Sequence, residues 1–272
     1  MDIILYITVF LIGIFFGSFY TLAAYRIPKK QDILHTHSYC PNCDHKLGFL
    51  DLFPLFSYIF LKGRCRYCKE KIRPRYFILE FISGIFFVVV AFLLGIRVET
   101  LTVYRIAEFS FLILYFTFVI LMASIDYDNR KINKPVLSYG IILSIIYIVY
   151  LCVIEKTSIY RYGIYLIFDV ILLILDTITL KKRATNRYVY SILLTLIVMA
   201  IFTGEYVTFN TILITLLAIA IYILLEKLKN KIRKSKKADI EFAKQISIGF
   251  YLAIANISNF IFVLILNNYM LQ

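Results

Sequence analysis

The sequence predicts an all-α polytopic membrane protein with about eight transmembrane helices and a small four-cysteine zinc-binding module between the first and the second. Three observations lead to this prediction. Hydrophobic residues make up 61% of the 272 residues, and the mean hydropathy is +0.81, well above the values of soluble domains. Apolar runs that are long enough to cross a bilayer recur along the chain. Two CysXaaXaaCys pairs, at 40–43 and 65–68, follow the first of these runs.

The first apolar run extends from Ile3 to Tyr25. It is too long for the core of a signal peptide, and basic residues such as Arg26 and Lys29 follow it instead of preceding it. We therefore expect residues 1–25 to remain in place as the first transmembrane helix, with the N-terminus outside the cell.

Residues 26–76, the zinc loop, contain both CysXaaXaaCys pairs. Each pair presents two thiolates from one tight turn, and four thiolates complete the tetrahedral coordination of a structural zinc ion. Such a site has no open position for water, so it holds a fold and does not catalyse. Thiols or disulfides without metal are the alternative, as is a histidine in place of one cysteine. The predicted ligands are Cys40, Cys43, Cys65 and Cys68, and the nearby histidines are His35, His37 and His45.

Residues 77–272 form the predicted seven-helix membrane domain. Its apolar runs lie at 77–96, 106–125, 136–154, 162–180, 188–203, 209–225 and 246–267. With this topology, the loops on the side of the zinc loop carry 26 of the 30 Lys and Arg residues. Cytoplasmic loops are enriched in these residues, so we expect a multi-pass protein of the inner (plasma) membrane with a cytoplasmic zinc loop. The net charge of +13 then mostly reflects topology and gives little reason to invoke nucleic acid. The densest basic run, residues 227–237, is either a solvated loop or a contact with anionic lipid headgroups.

Acidic residues inside or at the end of an apolar run are costly, and they mark candidate functional sites. Asp126 ends the third run at the predicted cytoplasmic boundary, and Asp128 points about 200° away on a helix. As structural alternatives, Asp126 caps the next helix or pairs with Arg130. In the fifth run, Asp176 lies about 6 Å from the cytoplasmic end, and Asp169 lies roughly 10 Å deeper on nearly the same face.

Several motifs resemble those of the type IV prepilin peptidases, which are membrane aspartyl proteases of the leader-peptidase class. The resemblance covers most of the chain and follows the order and spacing of the family. The N-terminal motifs are GlySerPhe (17–19), ArgIlePro (26–28), CysProAsnCys (40–43), Asp51 with Pro54 and Ser57, GlyArgCysArgTyrCys (63–68), and Tyr76 with Glu80. Residues 126–133 resemble the first catalytic motif, with Asn133 in place of a proline. For Glu80, pairing with Arg73 or Arg75 at the membrane interface is the structural alternative.

This resemblance implies an aspartic-type endopeptidase that cleaves the leader of a prepilin or pseudopilin at the cytoplasmic membrane face. In such a site one ionised carboxylate takes a proton from water, and a second, protonated one polarises the scissile carbonyl. The resemblance makes Asp126 the first catalytic aspartate. Many members of the family also methylate the new N-terminus with S-adenosylmethionine, which implies this cofactor without assigning its binding positions.

The chain departs from the family at the second aspartate, which stands in a GlyXaaGlyAsp motif at the start of the sixth span. Residues 181–190 occupy this place and contain no glycine and no acid, with Asn186 or Tyr188 near the expected position. Asp176 is therefore the candidate for the second catalytic acid. Poorer candidates are Asp169, Asp239 and Glu241. Residues 247–252 still resemble the end region of the family.

Three functions are compatible with these residues. The first is an active peptidase in which Asp126 works with a relocated acid. The second is a catalytically degenerate relative that binds or methylates prepilins, and the third is a non-enzymatic membrane adaptor. A transporter also fits eight spans, but the sequence has no paired broken helices of the kind that form transport sites.

Overall fold

The computed structural model describes residues 1–33, 35, 37–154, 159–179, 184–233 and 246–270. Within these ranges the regular structure is helical, apart from two short antiparallel bridges in the zinc loop. The helices are α1 (Asp2–Arg26), α2 (Phe49–Leu52), α3 (Phe56–Phe60), α4 (Pro74–Leu93), α5 (Val103–Asn129), α6 (Lys134–Ile154), α7 (Ile159–Thr179), α8 (Ala184–Thr203), α9 (Glu205–Arg233) and α10 (Ile248–Met270).

Six of the described helices are long and apolar enough to cross a membrane. Their spans are Asp2–Arg26, Tyr76–Leu93, Val103–Asn129, Lys134–Ile154, Glu205–Glu226 and Ile248–Asn267. The predicted all-α, multi-pass membrane fold is therefore confirmed. The fifth and sixth predicted spans coincide with α7 and α8, whose described apolar stretches are shorter, at Tyr162–Leu172 and Tyr188–Thr203.

The chain divides into two compact units, Met1–Ile113 and Leu114–Gln272. In the first unit, α1 and α4 pack closely because glycine stands where they meet. A Cβ atom at Gly17 would lie 2.7 Å from the Cα atom of Glu80, and one at Gly13 would lie 2.8 Å from the Cα atom of Gly84. Small residues four positions apart allow this approach in membrane helices.

In the second unit, polar side chains connect α5, α8, α9 and α10. The Tyr115 hydroxyl donates to Asn256 Oδ1 at 2.7 Å, and both residues are fully buried. The Asn256 amide donates in turn to the hydroxyls of Thr203 and Thr211, each at 3.4 Å. Hydrogen bonds of this kind join helices in an apolar environment, where the hydrophobic effect does not hold them together.

Candidate functional site

The four predicted zinc ligands lie together in the first unit. Their Sγ atoms are all within 4.8 Å of one another, and those of Cys40 and Cys68 are 3.8 Å apart. A tetrahedral zinc ion with Zn–S bonds of about 2.3 Å requires sulfur atoms about 3.8 Å apart. The residues therefore fit a structural zinc ion. All five cysteines lie in the described ranges, and none is part of a disulfide.

Two turns of the same geometry, residues 39–46 and 64–71, present these thiols. The Cys40 N–H donates to the His45 carbonyl at 3.0 Å, and the Cys65 N–H donates to the Glu70 carbonyl at 2.8 Å. Each turn is closed by an antiparallel bridge. The residue after the second cysteine has a positive φ in both turns, 53° at Asp44 and 61° at Lys69. The sequence predicted the ligands but not this equivalence, because the two turns share little beyond their cysteines.

Asp51 supports the second turn. Its side chain is 5% exposed, and its Oδ1 atom lies 2.6 Å from Arg66 Nε. Desolvation alone would raise the pKa of Asp51, but hydrogen bonds from Arg66 and the Gly48 N–H lower this pKa below its usual range. The Tyr67 hydroxyl also donates to Asp51. The Tyr67 ring lies against the ring of His45 in the first turn. Asp51 is thus held as a carboxylate that orients the second turn.

The nearby histidines are not part of the described metal-binding group, which consists of cysteines alone. His35 Nδ1 lies 3.0 Å from Asp32, and the His45 ring lies against Tyr67. Hydrogen bonds from the Glu70 backbone and the Asn42 side chain lower the pKa of Cys68 to about 6.

Asp126 lies inside the second unit, at the C-terminal end of α5. It is 0% exposed, whereas Asp128 is exposed, as the helical geometry predicted. The helix ends here because Arg130 adopts a positive φ of 54° and donates its N–H to the Asp126 carbonyl at 2.8 Å. The Arg130 guanidinium lies over the Tyr127 ring, at 5.7 Å. The side chain of Asp126 is buried, whereas Arg130 is exposed.

Tyr188 and the N-terminus of α10 hold one oxygen of the buried carboxylate. The Tyr188 hydroxyl donates to Asp126 Oδ2 at 2.9 Å, and the Phe250 N–H donates to the same atom at 3.3 Å. The Tyr188 oxygen accepts the Ile248 N–H at 2.9 Å. Burial disfavours a negative charge on Asp126, and these donors, together with the partial positive charge at the N-terminus of a helix, offset part of that cost. The Oδ1 atom is buried, without a hydrogen-bond partner among the described residues.

Gly249 allows α10 to approach this carboxylate. A Cβ atom at this position would lie 3.0 Å from Asp126 Oδ2 and 2.7 Å from Met122 Sδ. Both distances are below ordinary van der Waals contact, so a larger residue would displace one of the two side chains. The motif at 247–252 resembled the end region of the family, and the structure gives its glycine a steric role beside Asp126.

The structure brings Asp126 together with Tyr188, and no described acid forms a hydrogen bond with it. Asp169 is 2% exposed, and neither of its oxygens has a hydrogen-bond partner in the described part of the chain. Asp169 therefore makes no hydrogen bond that joins α7 to another described helix. The candidates that lie outside the described residues are the side chain of Asp176, Asp239 and Glu241.

We expect Tyr188→Phe to lower the midpoint of thermal unfolding in detergent. The change removes a hydrogen-bond donor from Asp126 and a hydrogen-bond acceptor from the Ile248 N–H. A buried polar group that loses its partner lowers the free energy of unfolding by about 1–3 kcal/mol. Tyr190→Phe, two residues further along α8, is the matched control and should have little effect. Equal shifts in both variants would show that the hydroxyl of Tyr188 contributes nothing specific.

The fold and these residues define a polytopic helical membrane protein with a four-cysteine metal module and a buried aspartate at the end of a long apolar helix. Residues 11–94 match the bacterial peptidase A24 N-terminal domain. Three relatives named prepilin leader peptidase/N-methyltransferase are similar to parts of the chain. The protein from Klebsiella pneumoniae is 35% identical over 32% of this chain, that from Vibrio cholerae 38% over 29%, and that from Bacillus subtilis 34% over 33%.

Together with the motifs, these matches show that the N-terminal part of the chain is similar to the type IV prepilin peptidases. The matched region spans 40% of the Klebsiella protein, 35% of the Vibrio protein and 36% of the Bacillus protein. No solved structure shows a significant match to the chain.

Proposed function

We propose that this protein is a prepilin peptidase, which removes the leader peptide of a type IV prepilin or pseudopilin. The observation that carries the proposal is the environment of Asp126, a fully buried carboxylate with two donors on one oxygen. The distribution of Lys and Arg supports an inner-membrane protein with the zinc loop in the cytoplasm and the N-terminus outside. Cleavage then takes place at the cytoplasmic face, next to membrane lipid.

Asp126 is the proposed general base. The Tyr188 hydroxyl and the Phe250 N–H stabilise its ionised form through Oδ2, which leaves Oδ1 to take a proton from the attacking water. A second, protonated carboxyl group polarises the scissile carbonyl. We assign this role to Asp176, which lies in α7, three residues before its end at Thr179. When the C–N bond breaks, the proton on Asp126 passes to the leaving amine.

The test is cleavage of the host's own prepilins by membranes that contain the protein, with protein-free membranes as the blank. We expect Asp176→Asn to lower the cleavage rate by about 10²–10⁴-fold, the usual contribution of a general acid or base. Asp169→Asn is the matched control in the same helix. Loss of cleavage in Asp169→Asn but not in Asp176→Asn would assign the role of the second acid to Asp169. No cleavage by folded, zinc-loaded wild-type protein would overturn the peptidase proposal.

A second candidate is a degenerate relative that binds or methylates prepilins without cutting them. The hydrogen bond from Tyr188 to Asp126 favours it, because a phenol keeps its proton at neutral pH and occupies one carboxylate oxygen. In this case wild-type membranes would capture a prepilin and leave its leader intact. Transfer of a labelled methyl group from S-adenosylmethionine to a prepilin that has already been cleaved would separate methylation from binding alone.

A further inference from the structure

The segment between the two metal-binding turns is a compact aromatic hairpin, residues 48–61. It consists of α2, a tight turn at Leu55, and α3. Each of its helices has no more than five residues, so neither is able to cross a membrane. The sequence therefore assigned the hairpin to the cytoplasmic zinc loop.

A contact with α1 places the tip of the hairpin beside the middle of that helix. The Phe53 ring lies 5.6 Å from the Phe15 ring, edge to face. Phe15 precedes Arg26, the last residue of α1, by eleven residues, or about 16 Å along the helix axis. Half the hydrocarbon thickness of a bilayer is about 15 Å. Phe53 thus lies near the centre of the span that α1 makes.

The backbone of the turn is adapted to a site without water. Leu55 has φ 60° and ψ −52°, and the Phe56 N–H donates to the Pro54 carbonyl at 2.7 Å, which closes a strained γ-turn. The Leu55 N–H donates to Glu80 Oε2 at 2.8 Å, and Glu80 is 9% exposed. The Ser57 N–H donates to the Phe53 carbonyl within the hairpin, and Pro54 has no N–H that would need a partner. Irregular backbone at membrane depth requires such internal partners.

This contact also explains Glu80. The structural alternative was a pair with a basic residue at the membrane interface, but the carboxylate binds the Leu55 N–H and the Ser18 hydroxyl. Pro74 is the first residue of α4, and Glu80 follows it by six residues. Glu80 therefore lies about 9 Å from the start of the helix. The hairpin is therefore anchored at two depths, by Phe15 on α1 and by Glu80 on α4.

The outer face of the hairpin is apolar and exposed. Phe49 is 74% exposed, Leu50 71%, Ile59 58% and Phe60 78%. Soluble surfaces rarely carry so many large apolar side chains together. Basic residues follow directly at the end of α3, where anionic headgroups would meet them: Lys62, Arg64 and Arg66.

We propose that the aromatic hairpin is a re-entrant membrane segment. It enters the bilayer from the side of the zinc loop, lies against α1 and α4, and contacts lipid acyl chains with its exposed rings. The two metal-binding turns remain at the surface and hold the two ends of the hairpin together.

The absence of tryptophan from the chain permits a direct test. Phe56→Trp and Phe60→Trp each introduce a single tryptophan into the zinc-loaded, full-length protein, reconstituted in vesicles of phosphatidylcholine and phosphatidylglycerol. We expect lipids with brominated acyl chains to quench the tryptophan fluorescence of both variants. The tryptophan of Phe56→Trp should lie deeper in the bilayer than that of Phe60→Trp. Ile82→Trp, on the 55% exposed position of α4, is the control for lipid contact. Tyr39→Trp, in the first metal-binding turn, is the control for water.

Quenching by brominated lipid at the level of Ile82→Trp, with protection from aqueous acrylamide, would support the proposal. Quenching by acrylamide at the level of Tyr39→Trp would overturn it and place the hairpin in water. Resistance to both quenchers would also overturn it, because the face would then be covered by protein, for example by the apolar helix of a bound prepilin. Two variants are used so that failure of one to fold leaves the other.

Discussion

Replacing Asp126 with asparagine is expected to lower the cleavage of a prepilin leader by about 10²–10⁴-fold. An asparagine side chain has nearly the same size, and its oxygen still accepts the hydrogen bonds that Asp126 receives from Tyr188 and Phe250. It does not take a proton from water, so the variant loses the proposed base while the packing around α10 is kept. The cleavage rate is measured in membranes from the shift of the prepilin on a gel.

Asp128→Asn is the matched control for this experiment. It makes the same chemical change two residues away, on the exposed side of the same helix end, and should leave the rate near that of the wild type. The thermal unfolding midpoint of Asp126→Asn should lie close to that of the wild type, because a polar partner is retained. Cleavage that persists in Asp126→Asn would remove this residue from the proposed mechanism. Equal losses in both variants would point to damage at the end of α5.

The features that the sequence predicted depend on local patterns. An apolar run of about twenty residues is sufficient to indicate a span, and the spacing CysXaaXaaCys is sufficient to indicate a pair of metal ligands. The different directions of the Asp126 and Asp128 side chains follow from the 3.6-residue period of a helix. The structure buries the first and exposes the second. In each case the information lies within a few turns of the chain.

The features that were missed depend on distant contacts. Tyr188 is 62 residues from Asp126, and the absence of an acid at 181–190 gave no indication that a phenol would donate to the remaining carboxylate. Gly249 acquires its role only when α10 meets α5. The aromatic hairpin has the length and breaks of an ordinary loop, and its depth becomes visible only through its contacts with Phe15 and Glu80.

The four-cysteine site, which fits a structural zinc ion, leads to the second large effect. Cys65→Ser is expected to release the metal and to unfold both metal-binding turns, because zinc binding contributes about 10–16 kcal/mol to the folding of comparable small modules. Cys65 is 5% exposed, and its backbone N–H and carbonyl close the second turn. The contacts of Asp51 with Arg66 and Tyr67 are other interactions that hold residues 64–71.

Zinc content and trypsin cleavage at the Lys and Arg residues of the second turn measure this effect. The wild type should retain zinc through purification and resist trypsin in this region, whereas Cys65→Ser should lose both properties. Cys152→Ser, in α6 and outside the metal site, is the matched control and should retain both. Loss of zinc without new trypsin cleavage would mean that the contacts of Asp51 and of the aromatic hairpin hold the turns without metal. The prediction that the metal is needed to fold the two turns would then be wrong, and only the prediction that Cys65 is a metal ligand would be correct.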